Sequence, residues 1–417
     1  MSARLVRVFA MVHRTFVALG AVALLAGAGQ AQSLWNAEGL GGWNEGYDLA
    51  SRGTGYTAIG RVDPFGMSSL NPAALAWARR PAAHFGLLLE NSWVKTDSDG
   101  SGGRTGTTRL PAVLVALPLS RGVGINLGFR DLTTGFYRYK ATIHEGSGDA
   151  FERSLEGTGG LGQFQCGVTA RALESRLALG AQLGVVGGTL RDLIRDDFED
   201  DAYQDTRNLL RTRAEGGRPV TFGFQAQPIE ALECGGFVTA STRLDVRSLF
   251  DNRTAQKEES RGHLDLPPGL GLGVTAHASA RWRLSFDWSQ RRWSEHDFAL
   301  AGQEVGRGFT RLGDASRIGF GITRVPGEHP PKDPLASRSV YRAGFTRAIL
   351  PVRQADGAEV AEWALTAGVG LPIQFDRGYV DGLFEFGKRG SASKTDLSET
   401  FLRLGMSVTF ARLAEAF

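Results

Sequence analysis

From residue 83 onward the chain repeats one pattern: an apolar side chain at every second position, then a turn. Leu402, Leu404, Met406, Val408 and Phe410 share one face of such a run, and Arg403, Gly405, Ser407 and Thr409 share the other. Trp282, Leu284, Phe286 and Trp288 likewise oppose Arg283, Ser285, Asp287 and Ser289. A period of two belongs to a strand with one apolar face, whereas a helix would repeat every 3.6 residues. The pattern predicts fourteen strands, at 83–95, 108–118, 122–132, 158–173, 175–193, 217–230, 232–247, 264–278, 281–295, 313–324, 338–349, 360–372, 376–388 and 399–411.

The links between these runs narrow the architecture. Short turns at Leu119-Ser120-Arg121, Glu174, Ala231, Ser279-Ala280 and Ile373 to Phe375 alternate with long polar links at 96–107, 133–157, 194–216, 248–263, 296–312, 350–359 and 389–398. Short turns on one side and long loops on the other are what a transmembrane barrel of bacterial type requires. Pro326 to Ser337 breaks the rule, being long where a short turn belongs. The competing reading is an exported soluble β-sandwich, single or in tandem. Strands of about ten residues match a tilted membrane span, and aromatics such as Trp93, Tyr137, Tyr139, Trp293, Trp363 and Tyr379 gather near strand ends, as interfacial girdles do. The fold class expected is therefore all-β, a closed antiparallel transmembrane barrel of fourteen strands.

Residues 1–31 read as a cleaved signal peptide. Arg4, Arg7 and Arg14 precede an apolar run from Phe16 to Gly27, and Gly29-Gln30-Ala31 offers small residues at a cleavage site. Removing three arginines from the 47 basic residues leaves 44 against 44 acidic ones, so the mature chain is neutral and nothing argues for nucleic acid. No later apolar run is long enough for a membrane-spanning helix. Cys166 and Cys234 are too few for a disulfide framework, and each falls among the apolar positions of its strand. The expected address is the bacterial outer membrane.

Residues 32–82 precede the strands (83–417), and within them Ser51 to Trp77 is neither helix nor strand. Gly53, Gly55, Gly60 and Gly66 punctuate it, Pro64 and Pro72 stiffen it, and Asn71-Pro72 is a helix-start signal. A fourteen-stranded lumen is wide enough to leak if empty. Irregular backbone at membrane depth is tolerated inside protein, so this segment is the expected plug.

At this point the chain resembles the FadL-type outer-membrane transporters of long-chain fatty acids and aromatic hydrocarbons. The resemblance rests on Asn71-Pro72-Ala73, on the lead-in Gly53 to Gly60 followed by Asp63-Pro64-Phe65, and on the ending Phe384-Glu385-Phe386-Gly387 with Glu399 to Gly405. It implies an N-terminal hatch in the lumen and passive, gated uptake of a hydrophobic small molecule. Phe65, Met67, Leu70 and Asn71 become candidate ligand contacts; Asp63, Asn71, Pro72 and Ala73 become the candidate hatch anchor or gate. The same residues would equally serve only to seal the barrel. Release would follow hatch movement or a lateral opening at a strand kink. The alternative is a FadL-like structural or docking protein, such as a secretion shuttle, with a periplasmic or surface protein as partner. Outer-membrane lipids and lipopolysaccharide are the expected surroundings.

Enzyme motifs are absent: there is no Gly-x-Ser-x-Gly elbow, no phosphate-binding loop and no His-Glu-x-x-His. Gly157 to Gly162 imitates a nucleotide loop, but a strand follows where a helix must. The seven histidines lack metal-ligand spacing, and no cofactor or metal is expected. The acidic run Asp196 to Asp201 could hold a divalent cation, though a solvated loop is the commoner reason for such a run. A lipid hydrolase would need a Ser or Thr activated by a His in the folded barrel, and nothing in the sequence singles one out.

Overall fold

The computed structural model describes residues 33–63, 66–78, 80–96, 102–119, 122–144, 150–173, 176–198, 204–252, 257–295, 298–301, 312–327, 334–353, 357–373, 378–391 and 397–411. Fourteen strand positions form one closed antiparallel barrel. They are β1 (Ala82–Thr96), β2 (Gly102–Arg109 and Ala112–Pro118), β3 (Val123–Asp131 and Tyr137–His144), β4 (Ala150–Ala172), β5 (Leu177–Phe198), β6 (Thr206–Gly217 and Val220–Ile229) and β7 (Leu232–Thr239 and Thr242–Asn252). The circuit continues through β8 (Lys257–Leu266 and Gly269–His277), β9 (Trp282–Arg291, with Phe298–Ala301 beyond it), β10 (Ala315–Arg324), β11 (Val340–Arg353), β12 (Glu359–Ile373), β13 (Gly378–Gly390) and β14 (Leu397–Ala411). β1 closes on β14 in unbroken register from Ala82↔Ala411 to Thr96↔Leu397. Closure pairs both edges of the wall, which is what lets a sheet sit in lipid.

The alternation divides the wall as the sequence implied. Phe85, Leu127, Phe164, Val168, Phe222, Leu272, Leu284, Phe320, Leu365, Phe384 and Leu404 are exposed on the outside. Glu90, Thr275, Ser285, Asp287, Glu385, Arg403 and Ser407 are buried inside. Large apolar groups facing out and charges facing in is the reverse of a water-soluble sheet protein.

The strands overrun their expected ends. The spans 133–157, 194–216 and 248–263, expected as loops, are in large part strand: Tyr137–His144 pairs with Ala150–Gly157, and Thr206–Gly217 pairs with both β5 and β7. Apolar alternation is short there (Tyr137, Tyr139, Ala141 and Ile143) or absent, and charged residues are frequent. Cross-strand pairs such as Lys140–Glu152, Arg138–Glu156 and Arg153–Asp196 occupy these spans instead. Proline interrupts three of these long strands, at Leu110-Pro111, Arg218-Pro219 and Pro267-Pro268, where the missing N–H ends a ladder. The irregular link before β11 holds a short helix, Leu335–Arg338.

One strand leaves the wall. After Asp131, β3 turns inward, and Thr133–Thr134 pairs with Gly42–Trp43 of the N-terminal segment before β3 resumes at Tyr137. The detour is held by Leu132 N–H to Leu161 O and Gly135 N–H to Gly159 O, both 2.8 Å. Gly159 answers it with a φ of 92°, open to glycine alone without strain. Among the described residues no ladder joins Gly102–Arg109 of β2 to Tyr137–His144 of β3, so the wall has a seam beside the detour.

Candidate functional site: the hatch and its lumen

The lumen is filled by residues 33–63 and 66–78. Asp48 caps the helix Leu49–Gly53 through Ser51 N–H at 2.7 Å, and its second oxygen accepts Met67 N–H at 2.9 Å. Burial alone would raise the Asp48 carboxyl; the charges of His84 and Arg61 and the hydrogen bonds from Ser51 outweigh it and hold the group below the usual carboxylate range. Asn71 caps the 3-10 helix Pro72–Trp77 through Ala73 N–H at 3.1 Å, with proline in the first turn. The local signals read from sequence therefore act as read.

The wall grips this segment by its backbone. Asp287 of β9 accepts the N–H groups of Ala58 and Ile59, each at 2.6 Å. Gln225 of β6 donates to Ile59 O and Arg61 O, Glu233 of β7 accepts Val62 N–H, and Thr366 of β12 accepts Gly55 N–H. Wall glycines bring the two backbones together: a Cβ on Gly235 would stand 2.4 Å from Ile59 O, one on Gly321 2.3 Å from Thr54 O, and one on Gly344 2.2 Å from Gly55 N. Gly180, Gly223 and Gly273 repeat this against Ala73, Asn71 and Gly60. These six wall glycines serve this girdle rather than turns.

One lattice of charges links β12, β13, β14 and β1 from inside the lumen. Arg403 of β14 pairs with Glu90 and Glu385; Arg389 of β13 pairs with Glu362 at 2.7 Å and Glu399 at 2.9 Å. The hatch enters this lattice through Tyr56, whose hydroxyl donates to Glu385 and whose ring lies 4.3 Å from the Arg317 guanidinium carbon, and through Ser33 Oγ, 2.6 Å from Glu399. Elsewhere the lumen holds an apolar cluster. Leu132 of the detour, Leu40 of the hatch and Leu161, Leu190, Leu244, Leu264 and Trp293 of the wall form one buried cluster, against which Trp43 packs. Two small cavities flank Trp43: one of about 60 Å³ against the charge lattice and one of about 30 Å³ beside Leu70 and Phe237.

The residues nominated from sequence lie in different places. Asn71 is fully buried, and its Nδ2 donates to Ile59 O of the hatch and to Phe224 O of β6. Pro72 and Ala73 lie against Gly180 of β5. Met67 packs with Leu75, Ala82, Leu114 and Ala116, whereas Leu70 packs with Tyr47, Ile59 and Phe237, so the two belong to separate apolar clusters. Asp63 meets Arg61 at 3.7 Å. Phe65 lies outside the described residues. Sequence reasoning missed Asp287, Gln225, Glu233 and Thr366 as hatch holders. Each was visible only as one polar residue on a lumen face, with no local sign of its distant partner. Asp196, within the acidic run, is engaged by Arg153 and Thr206, and no metal-binding cluster occurs among the described residues. Both cysteines are free thiols.

A model of the BamG family matches residues 11–412. Among solved structures, a FadL homologue of Pseudomonas aeruginosa superposes with a TM-score of 0.63 at 12% identity, covering 88% of this chain and 99% of its own. The toluene transporter TodX of Pseudomonas putida gives 0.57 at 13% identity, covering 88% and 98%. The toluene transporter TbuX of Ralstonia pickettii gives 0.56 at 13%, covering 88% and 99%. At such identities the likeness establishes the FadL-type fold. A comparison with curated proteins returned no match.

Proposed function

The chain belongs to the BamG family, and from that membership and its FadL-type fold we propose an outer-membrane channel for passive uptake of hydrophobic small molecules. The observation that carries the reading is the apolar cluster inside the lumen at the point where β3 leaves the wall. An apolar molecule inside the lumen would have Leu40, Trp43, Leu132 and Leu244 as its apolar surroundings. Long-chain fatty acids and small aromatic hydrocarbons are the candidate cargos, the latter in keeping with the printed names of the toluene transporters.

In this reading the hatch stays and the cargo leaves sideways through the β2–β3 seam. Moving the hatch would break the paired N–H bonds to Asp287, the Gln225 and Glu233 bonds and the Tyr56 link together. Each broken bond would leave a buried polar group unpaired, at about 1–3 kcal/mol apiece. Opening the detour asks less, because among the described residues its β2 side has no ladder to break. The role of Met67, Leu70 and Asn71 is then to seal and support rather than to bind cargo.

Proteoliposome uptake of decanoate and toluene tests transport: saturable entry is expected, and its absence would sink the channel reading. Hatch movement is tested separately with Ala73→Cys in a chain lacking both native cysteines. Labelling by a small maleimide should stay slow while cargo flows; acceleration by cargo would overturn the fixed hatch. The closely filled lumen also favours a second reading, a sealed barrel that docks a protein partner. A chain with no uptake that co-purifies with a periplasmic or surface protein would establish it.

A further inference from the structure

The outer face of the wall changes character along β5, β6, β7 and β8. Toward the short turns it is apolar, with Leu183, Val185, Phe222, Val238 and Leu272 exposed. Toward the long hairpins it is basic, with Arg191, Arg195, Arg211, Arg213, Arg247 and Arg261 exposed. The register sets arginines directly opposite one another. Arg195 faces Arg207 and Arg191 faces Arg211 across β5 and β6, while Arg213, Arg247 and Arg261 form one row across β6, β7 and β8. Like charges directly opposite destabilise a sheet. The carboxylates of this face only partly answer them. Glu215 and Glu259 pair with Arg213 and Arg261 along their own strands, Asp251 and Asp265 are engaged by Lys257 and Arg243, and Asp197 and Asp245 complete the set.

Beside the arginines the same face carries a groove. It begins where the β3–β4 ladder ends, at Asp131↔Gly162, and Gly162 and Gly187 leave its floor without side chains. Phe129, Phe164 and Val185 line its apolar part, and Arg213, Glu215 and Asp245 its polar end, around about 720 Å³. Past the same three apolar residues it continues into a hollow of about 470 Å³ walled by Val113, Leu127 and Leu183.

We propose that this face binds a phosphorylated glycolipid of the outer leaflet, of the lipid A type, with an acyl chain in the groove and its phosphates between the opposed arginines. Short turns mark the periplasmic end of such a barrel, so the arginines stand on the outer-leaflet side of the apolar band. The guanidinium fork donates two bonds to one phosphate, and a phosphate between two opposed arginines turns one repulsive pair into two attractive ones. An acidic protein segment would use the charge but not the hollow, whereas a lipid uses both. The inference concerns the outside of the wall and stands apart from the cargo and its path.

Diphosphoryl lipid A and its dephosphorylated form share the acyl chains and differ in charge, so titration calorimetry of each into the purified barrel in nonionic detergent decides the matter. The diphosphoryl form should bind at least about tenfold more tightly. The triple variant Arg211→Gln, Arg213→Gln, Arg247→Gln should lose that preference. Gly187→Leu fills the groove, since a Cβ there would meet nothing nearer than Ala214 O at 3.6 Å. It should weaken both lipid forms by about three- to tenfold and keep the preference for phosphate. Heat-modifiable gel mobility reports that each variant is folded; Arg247→Gln alone, expected to lose part of the preference, serves if the triple variant is not. Equal binding of the two forms, or a preference that survives in the arginine variants, would overturn the phosphate site. Unchanged binding by Gly187→Leu would overturn the acyl groove. Displacement of lipid A by pyrophosphate or polyglutamate at equal concentration would overturn the lipid and leave a face for soluble anions or an acidic partner.

Discussion

Gly344 has no room for a side chain, since a Cβ there would stand 2.2 Å from Gly55 N and 2.5 Å from Gly55 Cα. Neither atom can rotate away as a flexible side chain would. Gly344→Val should push the hatch off the wall while leaving the β11 ladder intact, because valine favours strands. The expected result is a folded barrel with raised ion conductance in planar bilayers; conductance equal to wild type would show that the hatch absorbs the methyl groups. Asn71→Ala removes a helix cap and both bonds to Ile59 O and Phe224 O. A loss of about 1–3 kcal/mol is expected, read as a lower unfolding temperature of the hatch by hydrogen exchange. At this scale the sequence was legible where chemistry is local. Asn71 announced a cap because capping is settled within three residues, but Phe224, 153 positions away, left no sign. Tyr56 was equally opaque: its φ of 65° costs about 1 kcal/mol and is held there by Glu385 and Arg317, from strands far along the chain.

The helix Leu49–Gly53 is only five residues long and would not persist alone. Its Asp48 cap and the wall keep it. Because the Asp48 carboxyl is depressed, its contribution is fully present above the unfolded value of about 4 and fades only as pH falls through the lower folded value. Hatch protection should therefore be flat from neutral pH to about 4 and drop below it; Asp48→Asn should remove that acid limb, and a limb that survives the substitution would assign it to another group. In the wall, Arg403 of β14 holds Glu90 of β1 and Glu385 of β13, tying the closing strands together from inside. Arg403→Met takes the nearest cation from two buried carboxylates, leaving Glu90 with Arg389 at 3.6 Å and Glu385 with the Tyr56 hydroxyl, and the expected loss is about 3 kcal/mol. Adding Glu385→Gln should restore part of the loss, and strictly additive losses would mean the pair does not couple. Strand existence was readable because outward apolar groups must recur every second residue in lipid. Strand length was not, because the extensions carrying the Lys140–Glu152 and Arg153–Asp196 pairs hold charges where membrane-spanning stretches hold large apolar groups, and the β3 detour depends on a pairing with Gly42–Trp43 that no pattern in β3 encodes.

For the molecule as a whole, barrel and hatch have different claims on stability. Every wall strand has its own neighbours, and closure of β1 on β14 involves no hatch residue. The hatch has short helices and one two-residue strand, and borrows its order from the wall through Asp287, Gln225, Glu233 and Thr366. Removing residues 33–77 should therefore leave a closed barrel that migrates as a folded species on gels and conducts ions freely. The lumen explains why: Glu90, Asp287, Glu362, Glu385, Arg389 and Arg403 would exchange hatch and each other for water, which a wide lumen admits. Lost contacts on that face are replaced by hydration, so the cost is far smaller than burying the same charges unpaired. If the shortened chain instead fails to fold while strand pairing in a full-length Asn71→Ala control is intact, the hatch is part of the barrel's own core. A shortened chain that folds yet stays closed to ions would place the seal elsewhere, in the apolar cluster around Trp293 and Leu244.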